Sequence, residues 1–295
     1  MSSATVGNID YAAPTTLEDV HELLAESSSA KLVAGGQSLM LLLRQGFVDA
    51  DLLVDISGVP SLAGIEITDN RIRLNAAITY SEIADHGLSE RYAELGDAVD
   101  VIADQQVRNM GTVGGALSHA DPSLDIVPPL LCLNADVTIS SVDGSRTLRL
   151  GEFLTGYMET DLADHEVLTS ISFDRRDHGL SGGSYRKHAK VKGSWPIVGA
   201  SSVVTLSEDH ERFTDVRVSL SAAAYTAVRA PSVEDTLEGQ STTTEAVEAA
   251  ASGVIDDIDP IDDPSGSIEF KQHLATVLTE RAIDDAVERA GGELE

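Results

Sequence analysis

Two glycine pairs, each preceded by apolar strand-like residues and followed by a helix-opening pattern, constrain this chain more than any other feature: Ala34-Gly35-Gly36-Gln37-Ser38 and Thr112-Val113-Gly114-Gly115-Ala116. Leu32-Val33 reads as the end of a buried strand, and Ser38 precedes the apolar run Leu39 to Leu43. Backbone N–H groups at such a helix start would face a bound anion. A glycine lets the backbone approach a ligand that a Cβ would hold off. Alone, the first pair reads equally well as turn chemistry; together, the pairs read as two halves of one phosphate cradle. The second continues as Leu117-Ser118-His119-Ala120-Asp121-Pro122-Ser123-Leu124-Asp125. There Asp121-Pro122 predicts an N-cap and first-turn proline for an apolar helix running through Leu131.

Composition narrows the function classes. The chain has 295 residues, 42% of them hydrophobic, which is enough for two or three compact lobes. No apolar run is long enough to span a bilayer, and Met1-Ser-Ser-Ala-Thr-Val-Gly lacks a basic, apolar leader, so a cytoplasmic protein is expected. The single cysteine, Cys132, excludes an all-cysteine iron–sulfur cluster held by this chain alone, and the eight histidines show no paired metal-binding spacing. No metal site is expected. A net charge of -29 disfavours nucleic acid and anionic lipid as partners. Only five lysines accompany that charge, a surface suited to a halophilic, salt-loaded cytoplasm.

Periodicity gives an α+β organisation. Residues 1–57 read as a small βαβ-type lobe, with a capping box at Thr15 to Glu18 and a strand at Leu52 to Ile56. Residues 58–178 show two hairpins, Ile65–Thr68 with Arg71–Asn75 and Val137–Ser141 with Thr147–Leu150. Between them lie a capping box at Thr79 to Glu82 and a helix over Tyr92 to Ile102. Residues 179–295 read as a separate antiparallel sheet followed by helices, with Asp256 to Ser267 a solvated, locally disordered loop. Irregular alternation of helices and strands disfavours a doubly wound sheet.

The segments A-G-G-x-S and T-x-G-G-x-x-x-x-A-D-P-x-x-D, both present here, resemble the signatures of the flavin subunit of molybdenum hydroxylases, a family that includes the carbon monoxide dehydrogenase medium subunit and the flavin domain of xanthine dehydrogenase. The resemblance runs from Tyr11 to about Ala290. It implies a PCMH-type (vanillyl-alcohol-oxidase-like) FAD-binding fold of two α+β lobes plus a C-terminal antiparallel sheet with helices. It also implies that FAD is gripped by Leu32, Val33, Ala34, Gly35, Gly36, Gln37, Ser38 and Leu39, and by Thr112, Gly114, Gly115 and Ser118. Ala77 and Leu168 would border the cofactor, and His119 and Asp121 would order the loop beside it. Asp125 would bond the ribityl and phosphate portion, although a first-turn helix aspartate would by itself explain its position and both roles can coexist. Tyr185 would stack over the flavin ring and Lys187 would approach it, with ordinary strand packing and a solvated cation as the alternatives. The family often has Asn where Ala116 stands and Asp where Ser194 stands.

By the same resemblance the chain is an FAD-binding electron-transfer subunit without a catalytic residue of its own. It would work with a large molybdopterin-binding subunit and a small 2Fe-2S subunit, as a heterotrimer or a dimer of heterotrimers. A stand-alone flavin oxidase or reductase, and a non-catalytic subunit with an empty cradle, remain as alternatives.

Overall fold

The computed structural model describes residues 9–176 and 179–294; the N-terminal segment 1–7 and the boundary at 178 lie outside them. Strands Asp10–Ala12, Ala30–Val33 and Leu52–Asp55 form a parallel three-stranded sheet with Leu52–Asp55 in the middle. Parallel neighbours need crossovers, which helices Leu17–Glu26 and Leu39–Gln45 supply. Val20, Leu24, Val54, Ile56 and Leu62 are buried between them. The cap of the first helix is Thr16, whose Oγ1 accepts from the Asp19 N–H at 3.1 Å, one residue beyond the box expected at Thr15.

Both expected hairpins form in the next unit, but they are not neighbours. The long strand Val167–Asp174 inserts between them, giving a five-stranded antiparallel sheet in the order Ile65–Ile67, Arg71–Asn75, Val167–Asp174, Asp136–Ser141, Gly144–Arg149. Helices between the hairpins cover this sheet, with Tyr92, Leu95, Leu117, Leu130, Phe153 and Phe173 in its core. The Thr79 capping box closes in both directions: the Thr79 N–H donates to Glu82 Oε2 at 2.8 Å and the Glu82 N–H to Thr79 Oγ1 at 3.2 Å.

The remaining strands, Ser181–His188, Val198–Leu206, Phe213–Ser221 and Val228–Arg229, form an antiparallel sheet, and helix Ile268–Arg289 packs across its first two strands. Gly182 and Gly183 lie inside the first strand, where side chains would overlap the Ala286 carbonyl oxygen and the Glu94 carboxylate. These glycines let a helix and a buried carboxylate come against the sheet. The segment 256–267 is largely exposed, as expected, but it is tied down and not disordered. Lys271, only 3% exposed, donates to Asp263 Oδ2 at 2.7 Å and the Ile261 carbonyl at 2.9 Å, and Asp262 accepts from the Ile268 N–H. Cys132 is buried where helix Val127–Cys132 meets this sheet, 3.1 Å from Ser219 Oγ; burial pushes its thiol up to about 11.

Candidate functional site

A cavity of about 880 Å³ lies where the three units meet, within the roughly 300–1,000 Å³ range usual for small-molecule sites. Of the expected residues, Leu32, Ala34, Gly35, Gly36, Gln37, Ser38, Leu39, Thr112, Gly114, Gly115, Ser118, His119, Asp125 and Leu168 line it. The two glycine pairs do converge, although they are 79 positions apart from Gly35 to Gly114.

Their roles differ from a symmetric cradle. Gly36 has φ +67°, in the left-handed region, and turns the chain from strand Ala30–Val33 into helix Leu39–Gln45. Ser38 makes no capping bond with its side chain, and its carbonyl accepts from the Leu41 and Leu42 N–H groups, both at 3.1 Å, which leaves the Leu39 and Met40 amides outside the helix's own cap. In the second pair the donors are engaged within the chain. The Val113 N–H donates to Ile78 O at 3.1 Å, Gly114 to Ala76 O at 2.8 Å, and Gly115 to Thr112 Oγ1 at 3.1 Å. That loop therefore gives the cavity a close-packed wall, while the first supplies a turn into a short helix.

Five expected residues do not line the cavity. Val33 faces away within its strand, its carbonyl accepting from the Ile56 N–H, and Ala77 is held by its N–H on Leu62 O. Asp121 does not cap a helix; its carboxylate accepts from the Ser123 N–H at 2.8 Å in a tight turn, and the apolar helix begins only at Val127. Pro128 and Pro129 take over the start, where missing N–H groups cost nothing.

Tyr185 and Lys187 require the larger correction. Neither forms cavity wall; both turn onto Asp125 from behind it. The Tyr185 hydroxyl donates to Asp125 Oδ1 at 2.6 Å, and Lys187 Nζ lies 2.9 Å from Asp125 Oδ2. Tyr185 is 3% exposed and belongs to the strand interior, so its ring is not part of the cavity wall. Burial pushes the Asp125 carboxyl above the ordinary range, against the pull of Lys187 and Tyr185. Burial also lowers the His119 imidazole, opposed by Asp121, so His119 favours its neutral form.

Sequence reasoning missed several wall residues. Tyr80, Ala103, Gly193 and the 55% exposed Trp195 line the cavity, as do Thr155, Met158 and Glu159 of the hairpin Leu154–Gly156 with Glu159–Thr160. Tyr80 was the most accessible of these, because it opens the helix capped by Thr79 and a buried aromatic there must face something.

The model of the FAD binding domain in molybdopterin dehydrogenase matches residues 7–173, and that of the CO dehydrogenase flavoprotein C-terminal domain matches residues 183–286. The chain belongs to the molybdopterin dehydrogenase flavoprotein family. Among relatives of this family, the chain is 31% identical to the 6-hydroxypseudooxynicotine dehydrogenase complex subunit alpha of Paenarthrobacter nicotinovorans, over 96% of each chain. It is 30% identical to the carbon monoxide dehydrogenase medium chain of Hydrogenophaga pseudoflava, over 94% of this chain and 96% of that one. Carbon monoxide dehydrogenase from Hydrogenophaga pseudoflava lacking the Mo-pyranopterin moiety superimposes with a TM-score of 0.91 at 31% identity, covering 95% of this chain and 98% of that one. Quinoline 2-oxidoreductase from Pseudomonas putida 86 gives 0.91 at 28% identity, covering 97% and 99%. The expected fold and family of this flavoprotein thus hold.

Proposed function

We propose that this chain is the FAD-bearing electron-transfer subunit of a molybdopterin-dependent hydroxylase or dehydrogenase. A small 2Fe-2S subunit would deliver electrons, a large molybdopterin subunit would oxidise the substrate, and the complex would be a heterotrimer or its dimer. The observation that carries this reading is the cavity, into which the Gly35-Gly36 turn and a glycine-packed wall from different units open together. Gly36, Gln37, Ser38 and Leu39 would hold the phosphates through the helix start. Thr112, Gly114, Gly115 and Ser118 would form the opposite wall, with Ala34, Gly35, Leu32 and Leu168 beside them. Asp125 would accept from ligand hydroxyls, oriented by Tyr185 and Lys187. FAD, when bound, supplies a redox centre that takes up and releases electrons. We divide the chain at 57 and 178, although the first core also takes in Val59, Leu62 and Val167 from the second unit.

The test is the purified chain itself. Flavin absorbance is expected, released by mild acid or heat as FAD, because the sequence singles out no residue for a covalent link. A colourless chain that takes up no FAD on titration defeats the reading, and release of FMN defeats the dinucleotide cradle.

Among the described residues no helix is long and apolar enough to cross a membrane. We place the protein in a salt-rich cytoplasm on its net charge of -29. Self-repulsion at that charge is screened over about 8 Å at 0.15 M salt but only about 3 Å at 1 M. The melting temperature is therefore expected to rise steadily as KCl goes from about 0.1 to about 2 M. A flat or falling curve over that range removes the halophilic assignment.

A further inference from the structure

Lys187 is buried, with its side chain 7% exposed, yet its ammonium is shared among three segments that line the cavity or adjoin its wall. It donates to Asp125 Oδ2 at 2.9 Å, to the Val101 carbonyl at 3.0 Å and to the Ser194 carbonyl at 2.9 Å. Asp125 is wall. Val101 ends the helix Ala93–Val101 and precedes the wall residues Ile102 and Ala103. Ser194 sits in the loop between strands Ser181–His188 and Val198–Leu206, flanked by the wall residues Gly193 and Trp195. An ammonium has three donors, and all three are spent here.

The loop is seated on the wall by the same contact region. Gly193 has φ +80°, and a Cβ there would stand 2.6 Å from the Ala103 carbonyl oxygen, so only glycine lets the loop lie on that backbone. The Ser194 N–H donates to Val191 O at 3.1 Å and the Ile197 N–H to His188 O at 2.7 Å, which closes the loop on itself but does not fix it to the cavity. That attachment falls to Lys187 and the Gly193–Ala103 contact. Trp195, the only tryptophan of the chain, then stands at the solvent-facing rim, 55% exposed.

We propose that Lys187 is a positioning residue: its ammonium straps the Gly193–Trp195 loop to Asp125 and to the end of helix Ala93–Val101, and so sets Trp195 at the rim of the cavity. Lys187 then acts on whatever occupies the cavity through Trp195 and Asp125, not by contact. The acceptor on the loop is a backbone carbonyl, so the strap does not depend on the side chain at position 194. The part that concerns flavin rests on the FAD reading above; the strap itself does not.

A sole tryptophan makes the strap directly measurable, in the full chain and without ligand. Lys187→Met keeps the side-chain length and removes the three donors. Acrylamide quenching of tryptophan emission is expected to rise about twofold in this variant, with a fall in emission anisotropy, as the loop opens locally. Lys187→Gln, which keeps an amide donor, is expected between wild type and Lys187→Met. Wild-type quenching and anisotropy in folded Lys187→Met, with folding checked by far-UV circular dichroism, overturn the proposal. If Lys187→Met does not fold, wild-type values in Lys187→Gln overturn it equally. Added FAD separates the two claims: tryptophan emission is expected to be quenched by bound flavin less in Lys187→Met than in wild type. A chain that binds no FAD but still shows the ligand-free difference retains the strap and loses the flavin reading.

Discussion

Arg176→Met is expected to destabilise the protein by about 3–5 kcal/mol, since it leaves a fully buried carboxylate without its cation. Glu94, 0% exposed, has Arg176 as its charge partner: Nη2 donates to Oε2 at 3.2 Å and Nη1 lies 3.1 Å from Oε1. The guanidinium also stands 5.2 Å from the Tyr92 ring centroid, and the Arg176 N–H donates to the Tyr92 hydroxyl. Burial already raises the Glu94 carboxyl, Arg176 opposes that, and nearby Asp97 adds to it. Without Arg176 the folded-state value climbs further. A carboxylate whose folded pKa exceeds its unfolded value binds protons preferentially in the native state, so stability falls as pH rises from the unfolded value through the folded one. The loss in Arg176→Met should accordingly be largest at neutral pH and shrink toward acid. Adding Glu94→Gln is expected to recover much of it, because a neutral amide is far cheaper to bury. Urea denaturation of the variants across pH decides this, and a loss under about 1 kcal/mol that does not vary with pH would show that the pair carries no net weight.

The same region shows why part of this molecule was readable and part was not. The Thr79–Glu82 box, the two hairpins and the strand-to-helix turn at Gly36 are specified by residues within a few positions of one another, so their signals are local. The insertion of Val167–Asp174 between the hairpins is not, because an apolar strand carries no mark of which partner it pairs with. Asp121 illustrates a local signal read wrongly: an Asp-Pro step suits a helix start and a tight turn equally, and packing of the apolar helix selected the turn.

Side-chain charge was the least legible. Lys187 meets Asp125 across 62 positions, Lys271 clamps an aspartate-rich loop that composition alone makes disordered, and Arg289 reaches Asp97 across 192 positions with bonds of 2.6 and 3.0 Å. In a chain with five lysines, at least two are buried as structural donors, which composition treats as solvated surface. The cavity was legible as a meeting of glycine pairs. Its outer wall, from Ala103, Trp195 and the 154–160 hairpin, follows from tertiary packing.

Those glycine pairs make the second large expectation, and the two members should behave differently. A side chain at Gly35 would overlap the Met110 carbonyl oxygen, which belongs to the second unit, whereas a Cβ at Gly114 would stand 2.5 Å from the Ala76 Cβ and 2.6 Å from its carbonyl oxygen, both within one unit. Neither glycine has a positive φ, so the cost is space and not backbone strain. Overpacking of this kind costs about 1–3 kcal/mol, more where backbone must move. At Gly114 the shift also breaks the bond from its own N–H to Ala76 O, so Gly114→Val is expected to lower the stability of the ligand-free chain by at least that amount. At Gly35 the strain is relieved by moving the glycine loop away from residues 110–111, which widens the cavity and leaves the core of the second unit in place. Gly35→Val is therefore expected to lose most of its flavin, by tenfold or more in affinity for about 1.4 kcal/mol of lost contact, with a smaller loss of stability than Gly114→Val. Ligand-free urea midpoints and FAD titrations of both variants give the comparison. Flavin binding at wild-type affinity in Gly35→Val would mean that the contact between the glycine loop and Met110 does not shape the site.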